Sequence, residues 1–212
     1  MLFYDRTDAG RRLAKLVKRK VQGPCIVLAV PRGGVIVGYE VARELNCPLD
    51  VVISRKVGAP AQPELAVGAV SEDGTVFVDD EIVSLVGVSR EYVERRGREE
   101  LKEVRRRAEA YRGGRDLPEL AGKTVIIVDD GLATGLTMMA AVHMARNRGA
   151  GRVVVAVPVS PPETVAKLKQ YADEVICLET PTNFYAIGQF YERFEQLTDE
   201  ETNSILRKFR EV

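Results

Sequence analysis

The chain reads Val125-Ile126-Ile127-Val128-Asp129-Asp130-Gly131-Leu132-Ala133-Thr134-Gly135-Leu136-Thr137 through the stretch that indicates its fold. The four apolar residues are typical of a parallel strand that is covered by helices on both faces. Two carboxylates follow this strand, and a loop of small and hydroxyl residues leads into an apolar-periodic segment, 138–148, which predicts a helix. Such a loop can bind a phosphate through backbone N–H groups and the helix dipole, and the carboxylates can accept hydrogen bonds from sugar hydroxyls. The stretch therefore predicts a ribose-phosphate site.

The order and spacing of these residues resemble the phosphoribosyl-diphosphate (PRPP) signature of type I phosphoribosyltransferases. The resemblance implies that Asp129 and Asp130 bind the 2′- and 3′-hydroxyls of the ribose and act in catalysis. It implies Mg²⁺ as the cofactor, carried by PRPP, with the same two carboxylates as its candidate protein contacts. The residues implied for the 5′-phosphate are Gly131, Leu132, Ala133, Thr134, Gly135 and Thr137. An acidic N-cap on a solvent-exposed loop is the alternative interpretation.

Outside this stretch, strands alternate with helices, which predicts an α/β fold with an open, mainly parallel twisted sheet flanked by helices. Strands are predicted over 25–30, 49–54, 153–157 and 174–178, and helices over 7–21, 35–45 and 162–171. Residues 57–120 depart from the alternation: we predict a hairpin of strands 64–71 and 75–79, a short helix over 80–85 and a long charged helix over 89–112. The whole chain, 1–212, is expected to form a single phosphoribosyltransferase-like domain with this insertion and a C-terminal hood over 180–212, which ends in a helix capped at Thr198 or Asp199.

Two further segments have candidate binding groups for the diphosphate of PRPP. Glycines in Pro31-Arg32-Gly33-Gly34 allow backbone N–H groups to approach an anion, and Arg32 adds a fixed positive charge. The segment resembles the family's pyrophosphate loop, which implies a catalytic role for Arg32 and a cis peptide between Pro31 and Arg32. Arg55 and Lys56, at the end of the next predicted strand, are the other candidates. An ordinary packing turn and plain surface charge are the respective alternatives.

The resemblance extends to two other elements. Phe184 and Tyr185 follow Pro181, as in the hood of purine enzymes, where an aromatic ring stacks on the base; the alternative is a small packed core or a subunit contact. The 64–78 hairpin occupies the place of the family's mobile lid, and a static edge hairpin is equally compatible with it. Ala133 departs from the 6-oxopurine enzymes, which carry an Asp there as a general base, so the acceptor is left open.

Composition excludes several function classes. Lys and Arg total 31, as do Asp and Glu, so the net charge is zero and favours neither nucleic acid nor membrane. We found no 18-residue apolar run and no signal-peptide pattern, which predicts a cytoplasmic protein. Cys25 and Cys177 lie in apolar strand patterns and are expected to be buried, reduced thiols. His143 is expected to be a surface or packing residue, which argues against triad hydrolysis.

Two functions fit these features. The first is a Mg²⁺-dependent transferase of nucleotide metabolism that moves the phosphoribosyl group of PRPP to a nitrogen acceptor, such as a nucleobase, and releases pyrophosphate; the family resemblance implies a homodimer. The second is a non-catalytic PRPP or nucleotide sensor that binds RNA or DNA. The Arg-rich helix over 89–112 is the feature that supports the sensor. Its interleaved glutamates favour a solvated helix face instead.

Overall fold

The computed structural model describes residues 2–210 and has an α/β fold. The strands are β1 (Cys25–Ala29), β2 (Leu49–Val51), β3 (Ser54–Gly58), β4 (Ala66–Ser71), β5 (Val76–Val78), β6 (Thr124–Val128), β7 (Arg152–Val159) and β8 (Glu174–Glu179). The α-helices are α1 (Arg6–Lys20), α2 (Gly34–Leu45), α3 (Asp80–Val86), α4 (Arg90–Arg112), α5 (Leu136–Asn147), α6 (Pro162–Leu168) and α7 (Asp199–Arg210). These bounds confirm the predicted elements to within a few residues, except around residue 54.

Five strands form the central parallel sheet, in the order β2-β1-β6-β7-β8. Alternate residues of β6 point to opposite faces, so that Ile126 packs with α1 and α2 and Ile127 packs with α5. Both side chains are fully buried. The continuous apolar run in the sequence is explained by this burial on both faces, and the open parallel sheet is confirmed.

The position of the two central strands defines where a ligand can bind. β1 lies between β2 and β6, so the chain leaves β1 toward one side of the sheet and later returns to the other side. In open α/β sheets, ligands bind beyond the carboxyl ends of the strands at such a switch point. The loops that begin there are 30–34, after β1, and 129–135, after β6.

The prediction of one strand over 49–54 is wrong. β2 ends at Val51, and β3 begins at Ser54 in a separate antiparallel sheet of order β3-β4-β5. The change of direction is held by Ile53, whose N–H donates to Glu72 Oε1 at 3.1 Å. Arg55 and Lys56 therefore lie within β3 rather than at the end of a strand of the parallel sheet.

The predicted hairpin exists, but it is not at the edge of the parallel sheet. β4 is the middle strand of the smaller sheet, between β3 and β5, and residues 67–71 are buried. Helix α4 packs over this sheet: a Cβ at Gly97 would lie 2.8 Å from Val76 Cγ2. The motion of a lid over this region stays a prediction.

The long charged helix is anchored at both ends. Ser89 caps it, with the Tyr92 N–H donating to Ser89 Oγ at 3.1 Å. At its last turn, the buried Arg112 donates to Asp50 Oδ1 at 3.1 Å and to Glu72 Oε1 at 2.9 Å. Exposed pairs such as Arg90 with Glu94, at 3.4 Å, cover the outer face. This face carries interleaved charges of both signs, and its interpretation as solvated rather than bound to nucleic acid stays a prediction.

The predictions for two cysteines and the histidine have different outcomes. Cys25 is not a free thiol: it is joined to Cys47 by a disulfide between the start of β1 and the second residue after α2. The expectation was wrong because the fold brings two distant residues to a Cα–Cα distance of 5.8 Å, which spacing along the chain does not reveal. Cys177 is free and partly buried. His143 is a packing residue, as predicted, and stacks on Phe77 with ring centroids 5.3 Å apart.

None of the helices within residues 2–210 has the length and apolar character that crossing a bilayer requires.

Candidate active site

Three neighbouring elements hold the loop after β6 from outside. The N–H of Leu132 donates to the Val159 carbonyl at 3.0 Å, at the end of β7. Thr164 Oγ1 of α6 donates to the Ala133 carbonyl at 2.6 Å. Tyr191, in the C-terminal segment, donates from its hydroxyl to the Asp130 carbonyl at 2.6 Å. The carbonyl groups of the loop are thus engaged by the surrounding protein.

The N–H groups of the same loop are left available. In the part of the chain that the structure describes, the backbone nitrogens from Ala133 to Thr137 donate to no protein acceptor. Gly135 has φ of 79°, a conformation that glycine adopts without strain, and it precedes the first turn of α5. These nitrogens and the positive end of the α5 dipole together offer a site for an anion.

The glycine loop after β1 lies directly against the two acids. A Cβ at Gly33 would lie 2.2 Å from Asp130 Oδ2, and one at Gly34 would lie 3.0 Å from Asp129 Oδ1. The predicted cis peptide between Pro31 and Arg32 is confirmed. Only glycine leaves room for this approach, so the two candidate loops form one continuous surface at the switch point of the sheet.

Arg6 is a member of the site that the sequence analysis missed. Its Nε donates to Asp130 Oδ2 at 2.9 Å, and both side chains are nearly buried. Its Nη1 donates to the Glu195 carbonyl at 2.7 Å, and its guanidinium lies 4.0 Å from the Phe194 ring centroid. In the sequence, Arg6 is one of several basic residues of an amphipathic helix, and no local signal separates it from the others.

The two acids have different electrostatic surroundings. Asp130 is paired with Arg6, whereas Asp129 has no cationic side chain within 4 Å among residues 2–210. Burial, and then the negative charge of Asp130, raise the pKa of Asp129 well above its usual value. The nearest polar contact of Asp129 is the N–H of Asp130, which donates to Asp129 Oδ1 at 2.8 Å. Asp129 therefore favours a proton, a cation or a hydrogen-bond donor nearby.

The candidate diphosphate groups are only partly brought together. Arg32 lies beside the glycine loop, and its Nε donates to Asp199 Oδ1 at 2.9 Å. Arg55 is at the same side of the molecule and pairs with Glu100 of α4 at 2.6 Å. Lys56 is exposed and makes no ion pair within the described residues.

The part of the hood that borders the site is the segment 180–197, and it packs against the start of the chain. Phe3 bridges to Tyr191, and their ring centroids are 5.4 Å apart. A Cβ at Gly131 would lie 2.7 Å from Ile187 Cγ2, so the hood touches the loop after β6. Phe184 is partly buried against Phe190, with centroids 5.0 Å apart, whereas Tyr185 is 89% exposed.

The geometry agrees with the comparison to known proteins. A family model described as a phosphoribosyl transferase domain matches residues 4–195. The chain belongs to this family. Arg6 and the hood segment up to Glu195 lie within the matched range, so the phosphoribosyl transferase domain includes both ends of the site described above.

Individual relatives support the same assignment. A Mycobacterium tuberculosis protein named as a phosphoribosyl transferase is 47% identical over 205 residues, which is 97% of this chain and 46% of that protein. The chain thus spans about half the length of this relative. The crystal structure of TT1426 from Thermus thermophilus is 44% identical and covers 99% of each chain, with a TM-score of 0.85. A purine phosphoribosyltransferase from Pyrococcus horikoshii, 16% identical over 93% of this chain and 96% of its own, shares the fold with a TM-score of 0.51.

Proposed function

We propose that this protein transfers the 5-phosphoribosyl group of PRPP to a nitrogen acceptor and releases pyrophosphate. The observation that carries the proposal is that two acids and a loop with free N–H groups occupy one connection at the switch point of the sheet, directly after β6. Asp129 and Asp130 follow β6, and the free N–H groups from Ala133 to Thr137 lie a few residues further on. A phosphorylated pentose needs both kinds of group: carboxylates for its diol and amides for its phosphate.

In this proposal, the 5′-phosphate binds the loop from Gly131 to Thr137. The backbone N–H groups donate to the phosphate oxygens, and the hydroxyls of Thr134 and Thr137 can add further donors. Asp129 accepts hydrogen bonds from the ribose diol, which would reduce the cost of its ionised form. Asp130 is held by Arg6 and fixes the ring from the other side.

Cleavage at the anomeric carbon would produce an oxocarbenium-like ribosyl centre and a diphosphate leaving group. The two carboxylates stabilise the developing positive charge, and Arg32 with the N–H groups of Gly33 and Gly34 stabilises the negative charge of the leaving group. The bond to the leaving group breaks as the bond to the acceptor nitrogen forms, and the proton of the acceptor passes to the departing diphosphate. Positioning of both reactants on opposite faces of the ribose supplies much of the rate.

The donor set of the site fits Mg²⁺. This ion is usually held by one or two carboxylates and substrate phosphates, with waters completing the shell. Asp129, whose pKa is raised by burial and by the adjacent Asp130, is the carboxylate that a nearby cation would stabilise most. When bound with PRPP, Mg²⁺ neutralises charge on the diphosphate.

The acceptor would bind under the hood. Phe184 and Tyr185 are the proposed stacking residues, and the exposed ring of Tyr185 is the freer of the two. Stacking on an aromatic ring contributes about 1–3 kcal/mol in nucleic-acid binders. Ala133 offers no side-chain base, so an acceptor that needs deprotonation at this position is disfavoured. A homodimer and a cytoplasmic location stay predictions.

The proposal is tested with Asp129→Asn and Asp130→Asn, using Asp116→Asn, an exposed carboxylate outside the site, as the matched control. PRPP binding is measured by calorimetry with Mg²⁺ present, and pyrophosphate release is measured with a panel of nucleobases. We expect the control to behave as the wild type and both site variants to lose binding by at least about 100-fold, since each removes charge-assisted hydrogen bonds. Wild-type-like PRPP affinity in both variants would refute the site. PRPP binding without turnover of any nucleobase on the panel would favour the non-catalytic PRPP sensor over the transferase.

A further inference from the structure

A basic cavity opens beside Arg32, between the inserted helix α4 and the start of α7. Its volume is about 320 Å³, and the charged and polar side chains that bound it are Arg32, Arg55, Arg106, Arg107, Tyr111 and Asp199, together with Glu103. Two of the four arginines, Arg106 and Arg107, come from α4. The cavity therefore extends the surface of the glycine loop onto an element outside the parallel sheet.

The cations of this cavity are incompletely neutralised. Arg106 is paired with Glu103 at 2.6 Å, and Arg55 with Glu100 at 2.6 Å. Arg107 is partly buried and has no carboxylate within 4 Å among residues 2–210. The guanidinium of Arg107 is therefore without a carboxylate partner among these residues, and it lies in a cavity with three other guanidinium groups. This arrangement favours binding of an anion with more than one negative charge.

A carboxylate already occupies part of the cavity. Asp199 Oδ1 accepts hydrogen bonds from Arg32 Nε at 2.9 Å and from the Tyr111 hydroxyl at 2.5 Å. A guanidinium and a phenol hydroxyl would hold a phosphate oxygen with the same donor chemistry. The Tyr111 hydroxyl, and then Arg32, lower the pKa of Asp199, so this carboxylate is ionised at neutral pH.

We propose that Arg106 and Arg107 of α4 complete the diphosphate site of PRPP, and that Asp199 is a carboxylate stand-in which the diphosphate displaces from Arg32. The inference rests on the proposed function and deepens it. The pair of Arg32 and Asp199 is about half exposed, 49% and 54%, and exposed ion pairs are weak. A diphosphate, with more negative charge and more acceptor oxygens than one carboxylate, competes effectively for the same donors.

The experiment measures binding of inorganic pyrophosphate and, separately, of PRPP with Mg²⁺ by calorimetry. Arg107→Gln removes the unpaired cation, and Arg105→Gln removes the same charge from an exposed position of the same helix. Asp199→Asn removes the stand-in charge, and Glu200→Gln is its neighbouring control. We expect Arg107→Gln to weaken pyrophosphate binding about tenfold, since a hydrogen bond to a charged group is lost. We expect Asp199→Asn to strengthen it about threefold, because a weak competing ion pair is removed.

Equal pyrophosphate affinity in Arg107→Gln and Arg105→Gln, with Arg106→Gln also unchanged, would overturn the role of α4. Weaker pyrophosphate binding by Asp199→Asn than by Glu200→Gln would show that Asp199 does not compete with the diphosphate for Arg32. The two proposals fail separately. If PRPP binding depends on Asp130 but not on Arg107, the transferase stands and this inference falls. If pyrophosphate binding depends on Arg107 while Asp129→Asn and Asp130→Asn bind PRPP normally, the basic cavity stands and the proposed function falls.

Discussion

Asp129 and Asp130 are adjacent in sequence but differ in what their negative charges meet. Arg6 lies 2.9 Å from Asp130, whereas Asp129 has no cationic side chain within 4 Å among residues 2–210 and accepts from the Asp130 N–H at 2.8 Å. Burial and the charge of Asp130 raise the pKa of Asp129. In the ligand-free protein, the ionised form of Asp129 is therefore unfavourable for folding. A bound diol or cation would stabilise this ionised form.

Asp129→Asn is predicted to stabilise the ligand-free protein near neutral pH, because the variant removes a charge that is unfavourable in the folded state. A carboxyl group with a raised pKa in the folded state contributes stability below its unfolded pKa of about 3.9, and this contribution is lost as pH rises through the folded pKa. The gain of the variant over the wild type should thus be largest at neutral pH and vanish under acidic conditions. Thermal denaturation between pH 4 and 8 measures it, with about 2–4 °C in Tm for each kcal/mol.

Asp116→Asn serves as the control for this pH series, since Asp116 is exposed and makes no ion pair within residues 2–210. The same Tm difference at every pH, or a lower Tm for Asp129→Asn at neutral pH, would show that Asp129 is not held in an unfavourable ionised state.

At the scale of elements, α4 connects the smaller sheet to the edge of the parallel sheet through Arg112. This side chain contacts Asp50 at 3.1 Å and the Val51 carbonyl at 2.5 Å near β2, and it bonds to Glu72 just after β4. Its burial removes three polar partners from water at once. Arg112 is therefore the polar anchor of the C-terminal end of α4, the end that borders the basic cavity.

Arg112→Met is predicted to cost about 3–5 kcal/mol of folding free energy, because it leaves Asp50 and Glu72 buried without their partner. Urea denaturation measures the loss. Arg105→Met makes the same substitution at an exposed position of the same helix and should change the free energy by less than about 0.5 kcal/mol. Equal denaturation midpoints for the two variants would mean that Arg112 does not anchor the helix.

At the scale of the whole molecule, the candidate site combines residues from most of the chain. Arg6 comes from the first helix, and Arg32 and Asp130 come from the loops after β1 and β6. Tyr191 comes from the hood, and Asp199 begins the last helix. A ligand that contacts these groups should stabilise the chain as a unit rather than one segment.

PRPP with Mg²⁺ is therefore predicted to raise Tm in a single transition. At a ligand concentration 100 times Kd, linkage gives about 2.7 kcal/mol, which corresponds to a rise of about 5–10 °C for a chain of this size. Differential scanning calorimetry measures the shift, and Asp130→Asn should show none. A shift confined to one of two resolved transitions would contradict the single site.

Several features were predictable because their signals are local. The apolar run before Asp129 and Asp130 indicates a strand covered on both faces, and the glycine and threonine residues after it indicate the phosphate loop. Ser89 marks the start of α4 because a side-chain oxygen can satisfy a free N–H group of the first turn. These signals act over a few residues and need no knowledge of distant contacts.

The features that the sequence analysis did not predict have a common cause: each depends on a contact between residues that are distant in sequence. The break between β2 and β3 depends on Glu72, which accepts a hydrogen bond from the N–H of Ile53, 19 residues earlier in the sequence. The disulfide joins Cys25 and Cys47 across a separation of 22 residues. Arg6 pairs with Asp130 over 124 positions of sequence. In each case, the partner is chosen by the packing of the sheet and helices.

The sequence by itself determined the α/β alternation and the parallel sheet, and it singled out the two acids and the loop after them as candidate site residues, because hydrophobic period and short motifs encode these features. Only the tertiary structure decided which cation meets which acid: Arg6 pairs with Asp130, and Arg32 pairs with Asp199. The physical reason is that a charge has the same local signature whether it is solvated or paired. Its partner is fixed only when the folded chain brings distant groups within a few ångströms.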